Sequence, residues 1–259
     1  MNTPCSYRTK LEARIAATGS RLCVGLDPRP DAHGGDLRGF LARYIEETHP
    51  FAAAYKPNSA YFEALGSRGF ALLEEVRGMI PADVPVILDA KRGDIGETQK
   101  YYAKAAFDIL GADAVTLNPF MGFDSIEPFL GYPGRGIYLL AVTSNAGSAD
   151  IERQMLADGR PVFALVEEFA SRATGAPATV GFVVGLTNAA EDVLSRFGDH
   201  PLLIPGLGAQ GGDLAQWAAS PRTAPDVINV SRGIMYAEPD KSHADKARDY
   251  AHAIANHRR

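Results

Sequence analysis

The sequence predicts a single α/β domain with the architecture of a (β/α)8 TIM barrel. Eight short apolar runs recur along the 259 residues, and amphipathic segments long enough for a helix separate most of them. Such alternation calls for parallel strands joined by right-handed crossovers. Seven of the eight runs end in polar or glycine-rich residues. In a barrel these ends converge on the C-terminal face, where enzymes of this architecture keep their active sites.

The predicted elements alternate from the N-terminus onward. Residues 7–18 are read as an extra N-terminal helix that caps the bottom of the barrel, and the clearest later helices span 62–80, 97–110 and 162–173. Each predicted strand is a short apolar run bounded by polar, glycine or proline residues. The strands span residues 21–27, 51–57, 84–91, 113–119, 136–145, 179–186, 201–208 and 226–232.

A doubly wound open sheet is the rival architecture. No G-x-G-x-x-G follows the first strand, which speaks against the dinucleotide-binding form of that fold. We find no domain boundary and expect residues 1–259 to form one catalytic domain. The irregular stretches at 28–37 and 143–150 are read as loops within it.

Composition narrows the class of protein. The net charge is −5 with acids and bases interspersed, so no basic tract indicates a nucleic-acid partner. No uncharged apolar run approaches the ~18 residues of a membrane helix, and the N-terminus lacks the ~7–15-residue apolar region of a signal peptide. Cys5 and Cys23 are too few for a disulfide framework, and Cys23 lies in an apolar run. We therefore expect a cytoplasmic protein with a reduced, buried Cys23 and no membrane partner.

Charged residues follow three neighbouring strands. The segment LDAKRGDIGET (88–98) places Asp89 and Lys91 at the end of the third strand, on the same side by alternation. Asp27 ends the first strand and Lys56 ends the second. A lysine at a strand end can snorkel out to solvent, but buried charges need partners. We expect Lys56 to point inward between Asp27 and Asp89.

Asp94 has two interpretations that the sequence leaves open. It stands three residues before Glu97 and just ahead of a helical pattern, as a helix N-cap would; it also lies beside the charged cluster. Neither a histidine pair nor a cysteine cluster predicts zinc. Asp27, Asp89 and Asp94 are a possible Mg²⁺ set, but lysines interleaved with them compete for the carboxylates. We expect no metal.

A glycine-rich segment, IPGLGAQGGD (204–213), follows the seventh strand. Glycines let backbone N–H groups approach an anion closely, and phosphate sites in barrels commonly form after strands seven and eight. Arg232, just past the eighth strand, is placed to bind the same phosphate with two parallel hydrogen bonds. The alternative is that the segment is a mobile loop without a binding function and that Arg232 is an ordinary surface arginine. The two features together predict a phosphate site.

The motif D-x-K-x-x-D, formed by Asp89, Lys91 and Asp94, resembles the signature of orotidine 5′-phosphate decarboxylases, most closely their longer bacterial branch. The resemblance extends through DAKRGDIGET, with Ile95 and Thr98. A short D-x-K-x-x-D is also carried by phosphosugar enzymes of the same superfamily, whereas the whole ordered set is specific. The further segments are VGLDP (24–28), YKPN (55–58), TLNPFMG (116–122), TSNAGS (143–148), PGLGAQGGD (205–213) and NVSRGI (229–234).

The resemblance implies cofactor-free decarboxylation of orotidine 5′-monophosphate to UMP and CO2 in de novo pyrimidine biosynthesis. Lys91 would protonate C6 of the pyrimidine, within a charged array of Lys56, Asp89, Lys91 and Asp94. In the family the second acid of the motif, here Asp94, crosses from the neighbouring subunit. The site would then be completed only in a homodimer.

The resemblance also implies the substrate contacts. Asp27 and Thr98 would contact the ribose, and Arg232 would bind the phosphate. Ser144 would meet the pyrimidine edge, with the division of that contact between Ser144 and Asn145 left open. Ala146 stands where the proline of the common family motif TSNPG would be. We expect this difference to affect only the rigidity of the loop at 143–148. The full implied substrate-binding set is Asp27, Ile95, Thr98, Asn118, Ser144, Asn145, Gln210, Gly211 and Arg232, with Ile95 and Thr98 crossing the dimer interface beside Asp94.

Three other functions compete. A Mg²⁺-dependent phosphosugar decarboxylase or aldolase of the same superfamily predicts metal dependence and has no use for Ser144 or Gln210. A Schiff-base aldolase needs Lys56 or Lys91 with a depressed pKa, whereas flanking carboxylates raise a lysine pKa. A non-catalytic phosphate-binding barrel has no reason to hold two lysines among three acids.

Overall fold

Eight parallel β-strands form the centre of the molecule in the computed structural model, which describes residues 5–32, 35–187, 193–206 and 214–257. Each strand overlaps a predicted one, which confirms the strand assignment. The strands are β1 Leu22–Leu26, β2 Ala54–Pro57, β3 Ile87–Arg92, β4 Ala114–Leu117, β5 Gly136–Val142, β6 Thr179–Val184, β7 Leu202–Pro205 and β8 Val227–Val230.

The sheet closes into a barrel. Its hydrogen-bonded order is β2-β1-β8-β7-β6-β5-β4-β3. The two end strands, β2 and β3, meet through parallel bridges that pair Tyr55 with Val86 and Asn58 with Asp89. The predicted (β/α)8 barrel is therefore confirmed, and the open doubly wound sheet is excluded.

Helices separate the strands along the described chain. The last helical turns after Lys104 widen into a π-helix over Ala105–Ile109, so the predicted helix at 97–110 is continuous. None of the helices in the described residues is long and apolar enough to cross a membrane. The helices are α1 Tyr7–Thr18, α2 Leu37–Thr48, α3 Ser59–Glu63, α4 Ser67–Met79, α5 Gly96–Lys104, α6 Glu127–Leu130, α7 Phe163–Arg172, α8 Val193–Arg196, α9 Leu214–Ala219, α10 Arg232–Met235 and α11 His243–Asn256.

The predicted helix at 62–80 is two helices, and this prediction was wrong in one respect. Helix α3 ends at Glu63 and α4 begins at Ser67. Between them Gly66 adopts φ 65° and ψ −146°, a conformation that a residue with a Cβ avoids. The apolar periodicity runs through the break, so the pattern alone did not reveal the turn.

Helix α1 lies where the sequence placed it, across the bottom of the barrel. The Ser6 hydroxyl accepts the Thr9 N–H and caps its start. Its Tyr7 is buried, with the hydroxyl 3.0 Å from the hydroxyl of Tyr138 on β5. Lys10 forms a 2.7 Å ion pair with Asp113, just ahead of β4. These contacts seal the N-terminal ends of the strands, so the opposite end is open for a site.

An apolar cluster fills the lower barrel interior. It includes Tyr7, Cys23 and Tyr138, and its upper members are Val183 of β6 and Leu203 of β7. Cys23 is a free, buried thiol, as predicted. Burial raises its pKa to about 12, which keeps it protonated and unreactive.

Candidate active site

A buried carboxylate bridges two lysines at the open end of the barrel. Asp89 Oδ2 lies 2.7 Å from Lys56 Nζ, and Asp89 Oδ1 lies 2.7 Å from Lys91 Nζ. Only 4% of Lys56 and 7% of Asp89 is exposed. The prediction that Lys56 points inward is confirmed, and its ion-pair partner is the carboxylate of the neighbouring strand β3.

The opposite charges within this cluster keep Lys56 and Asp89 ionised. Burial alone lowers the pKa of Lys56, but the Asp89 and Asp27 carboxylates outweigh it, and the pKa lies above its usual range. Burial likewise raises the pKa of Asp89, yet the Lys56 and Lys91 ammonium groups bring it well below its usual range. The low-dielectric surroundings strengthen these attractions as well as the desolvation they offset.

Lys91 occupies an irregular end of β3. Its φ of 46° is left-handed, and the pairing of β3 with β4 shifts between Leu88 and Arg92. Simple alternation predicted the correct side for Lys91 but not this bulge. The Lys91 side chain is 49% exposed, so its ammonium reaches from the buried Asp89 toward the open space above.

That open space is a cavity of about 420 Å³. Its floor is apolar, because Val183 and Leu203 are the upper members of the interior cluster. The charged residues stand on one wall and the loop after β5 on another. The lining residues are Lys56, Asp89, Lys91, Thr116, Leu140, Thr143, Ser144, Asn145, Glu152, Val183, Leu203, Pro205 and Asn229.

The loop after β5 is held by a carboxylate. Glu152 accepts the backbone N–H of Thr143 at 2.7 Å, and its other oxygen lies 2.8 Å from the Thr143 hydroxyl. The same hydroxyl lies 2.6 Å from Asn145 Oδ1. This anchoring places Ser144 and Asn145 beside the lysine cluster, as the sequence predicted.

Among the residues that the structure describes, three buried side-chain oxygens at the C-terminal ends of β1 and β8 have no hydrogen-bond partner: Asp27 Oδ1, Asn229 Oδ1 and Ser231 Oγ. A buried polar atom without a partner costs about 1–3 kcal/mol, which a bound ligand or water would offset. We predicted Asp27 as an ion-pair partner of Lys56. In the described residues Asp89 alone makes that contact, and Asp27 acts on Lys56 only through its field.

Comparison with known proteins assigns the chain to a family. A model of the orotidine 5′-phosphate decarboxylase / HUMPS family matches residues 20–247. The chain belongs to this family.

Relatives and solved structures of the orotidine 5′-phosphate decarboxylase family cover nearly the whole chain. The chain is 43% identical over 258 residues to an orotidine 5′-phosphate decarboxylase of Herpetosiphon aurantiacus, covering 96% of each. It is 46% identical over 261 residues to that of Paracidovorax citrulli, covering 94% of each. The structure of Leishmania donovani OMP decarboxylase is similar with a TM-score of 0.86 and 39% identity, covering 98% of both chains.

The structure corrects the N-cap interpretation of Asp94. Helix α5 begins at Gly96 with Ile95 as its N-cap, and the Asp94 carboxylate accepts the Ile95 N–H at 2.8 Å. Within the described part of the chain Asp94 makes no ion pair with Lys56 or Lys91. Ile95 is 59% exposed, and Thr98 is exposed. None of the three residues that the family resemblance places across a dimer interface is among the residues that line the cavity of its own chain.

The remaining predicted site residues lie around the cavity mouth or outside the described residues. Arg232 begins α10 directly after β8 and is exposed. Asn118 lines an adjoining cavity of about 640 Å³, and its Oδ1 accepts the Phe120 N–H at 3.1 Å, which caps a 3-10 turn. Gln210 and Gly211 fall outside the residues that the structure describes.

Sequence analysis assigned no role to four polar residues of the cavity wall: Thr116, Thr143, Glu152 and Asn229. Thr116 on β4 and Asn229 on β8 are polar positions inside otherwise apolar strands, and that interruption is the signal that marks them. Glu152 follows an irregular stretch with no pattern of its own, so nothing in the sequence connects it to Thr143. Its contact exists only in the folded loop.

Proposed function

We propose that this chain decarboxylates orotidine 5′-monophosphate to UMP and CO2 without a cofactor, as a cytoplasmic enzyme of de novo pyrimidine biosynthesis. The observation that carries the proposal is the buried Asp89 carboxylate with an ammonium group on each oxygen, in a chain of the orotidine 5′-phosphate decarboxylase / HUMPS family. The family relatives named above carry the same activity in their names.

The chemistry explains why this cluster suits the reaction. Loss of CO2 without an electron sink leaves a localised carbanion at C6, so the enzyme must stabilise that charge electrostatically and then quench it. The Lys91 ammonium does both, because it attracts the developing charge and then donates its proton to C6. Asp89 and Lys56 hold this ammonium in place from a buried position, and such preorganisation costs no rearrangement during the reaction.

The substrate contacts follow from the surroundings of the cluster. Arg232 and the segment containing Gln210 and Gly211 bind the phosphate, far from C6, and this binding energy supports the chemical step. The unpartnered Asp27 Oδ1 suits a ribose hydroxyl, which is a donor. Ser144 and Asn145 of the anchored loop contact the pyrimidine edge, and Asn118 lies further out. The cavity of about 420 Å³ falls in the size range of small-molecule sites.

The site is completed by a second copy of the chain. Asp94, Ile95 and Thr98 reach into the partner's cavity, where Asp94 completes the charged array and Thr98 contacts the ribose. Supporting this arrangement, Asp94 makes no contact with its own lysines in the described chain, and Ile95 is 59% exposed. The adjacent Phe120 and Met121 are 75% and 53% exposed, and we expect a homodimer interface to cover this pair, because neighbouring exposed apolar side chains favour protein contacts.

The activity is tested by adding orotidine 5′-monophosphate to the purified protein in excess EDTA and following the loss of the orotate absorbance. Conversion to UMP under these conditions supports a metal-independent decarboxylase. If the protein is inactive in EDTA but active on a phosphosugar with Mg²⁺, the superfamily alternative replaces it.

Mixed dimers test the shared site. Lys91→Ala and Asp94→Ala are expected to be inactive alone. In a mixed dimer one site carries both substitutions and the other carries neither, so mixing the unfolded chains equally and refolding them restores about a quarter of the wild-type activity. If Asp94 acts on its own chain's Lys91, every site in the mixture lacks one residue and no activity returns. Lys91→Ala refolded with Lys91→Arg is the matched control and should stay inactive.

A further inference from the structure

Thr116 connects Asp89 and Lys91 of β3 from the neighbouring strand. It lies on β4, only 1% exposed. Its Oγ1 is 2.9 Å from the Lys91 backbone nitrogen and 3.0 Å from Asp89 Oδ1. The Lys91 N–H can only donate, so Oγ1 accepts there. The single hydroxyl hydrogen is thereby directed to the Asp89 carboxylate.

The Thr116 hydroxyl accepts the Lys91 N–H at a point where the β-sheet provides no backbone acceptor for it. The pairing of β3 with β4 breaks between Leu88 and Arg92, so Thr116 takes the place of the ladder partner of the Lys91 N–H. The same hydrogen bond supports the φ of 46° at Lys91, which is unfavourable for a residue with a Cβ. Asp89 Oδ1, which receives the Thr116 hydroxyl, is also the oxygen that contacts Lys91 Nζ. Both ends of Lys91 are thus positioned through one side chain.

We propose that Thr116 is a positioning residue for the decarboxylation: its hydroxyl fixes the Asp89 carboxylate and the Lys91 backbone together, and so aims the Lys91 ammonium at C6. This inference rests on the proposed function and deepens it. Thr116 acts through Asp89 and Lys91, because its single hydroxyl hydrogen is directed to Asp89 Oδ1 and the Lys91 N–H donates to its oxygen.

The test compares Thr116→Val, which keeps the shape and removes the hydroxyl, with Thr116→Ser, which keeps the hydroxyl. Misaimed catalytic groups cost rate steeply, so we expect Thr116→Val to lower kcat by about tenfold or more. Because the Thr116 hydroxyl does not contribute to substrate binding in this proposal, KM and the affinity for UMP of Thr116→Val should stay within about threefold of the wild-type values. Thr116→Ser should retain kcat within about threefold of wild type. If Thr116→Val does not fold, Thr116→Ala against Thr116→Ser makes the same comparison.

Thr48→Val is the matched control. Thr48 is also fully buried, and its hydroxyl lies 2.7 Å from the Tyr44 carbonyl and 2.7 Å from the Tyr55 hydroxyl, on the outer side of the barrel. Its loss should lower the melting temperature and leave kcat unchanged. The inference is overturned if Thr116→Val keeps kcat within threefold of wild type, if Thr116→Ser is as slow as Thr116→Val, or if the affinity for UMP falls as far as kcat. Wild-type protein that does not convert orotidine 5′-monophosphate would instead overturn the proposed function itself.

Discussion

Replacing Asp89 with asparagine removes the negative charge from between two lysines while keeping the shape of the side chain. Each lysine nitrogen lies 2.7 Å from a different oxygen of the carboxylate. The two lysines differ in exposure: the Lys56 side chain is 5% exposed and that of Lys91 is 49% exposed. The substitution therefore removes the contacting carboxylate from one buried and one half-exposed ammonium.

The buried pair dominates the expected loss of stability. At 2.7 Å and an effective dielectric constant of about 20, one pair attracts by about 6 kcal/mol. Part of this only offsets the desolvation of Lys56, and breaking a buried pair at one partner typically costs about 3–5 kcal/mol. The hydrated Lys91 adds about 0–1 kcal/mol. We expect Asp89→Asn to lower the free energy of unfolding by about 3–5 kcal/mol.

The wild type and Asp89→Asn should also differ in the direction in which their stability changes with pH. In the wild type the pKa of Lys56 is raised above its ordinary 10.5, so its contribution is present below pH 10.5 and is lost as the pH rises through the folded pKa. Burial is the largest single influence on Lys56, and without Asp89 the Asp27 field is the main one left to oppose it, so we expect the pKa of Lys56 to be lowered in the variant. The unfolded state then binds more protons, so the variant should gain stability as the pH rises toward 10.5.

Urea unfolding followed by far-UV circular dichroism measures both effects. Lys56→Met combined with Asp89→Asn removes the unpaired buried charge and should recover much of the loss. Asp199→Asn is the control, since Asp199 pairs with Arg8 at the surface and is 59% exposed. A loss below about 1 kcal/mol for Asp89→Asn, the value of a surface pair, or a stability that falls with rising pH, would refute the reasoning.

Three further predictions concern other parts of the chain. Arg232→Ala should weaken UMP binding about 10- to 100-fold, since a charged hydrogen bond contributes about 1.5–3 kcal/mol, and should leave uridine binding unchanged in calorimetry. Arg222→Met should lower the free energy of unfolding by about 3–5 kcal/mol in urea, because it removes the guanidinium that lies 3.0 Å from the fully buried Asp226 carboxylate. Burial lowers the pKa of His243 despite the Glu47 carboxylate. The unfolded state therefore binds more protons, and stability is lost as the pH falls below 6.5. In His243→Asn the melting temperature should fall less steeply with decreasing pH than in the wild type.

Local sequence patterns determined the strand count, the barrel and the charged strand ends. The apolar pattern of each run predicts a strand without any knowledge of the strand that it pairs with. Parallel strands in a barrel then bring their C-terminal ends to one face. The inward direction of Lys56 followed from the cost of burying an unpaired charge. The cap formed by α1 followed from its position before β1. These properties depend on neighbours in the chain or on general rules of layer packing.

The tertiary structure alone decided how the site is arranged. The helix break at Gly66 and the β-bulge at Lys91 are changes in backbone direction. The pattern of apolar residues continues unchanged across both, so it does not predict either of them. The Asp89–Lys56 pair and the Thr116 hydrogen bonds join residues of different strands, so their geometry depends on strand register, which no single strand encodes. The direction of Asp94 was equally hidden, because a carboxylate beside a helix start can cap it or turn away. Alternation along one strand gives the side of each residue, and only the closed barrel sets which side chains meet.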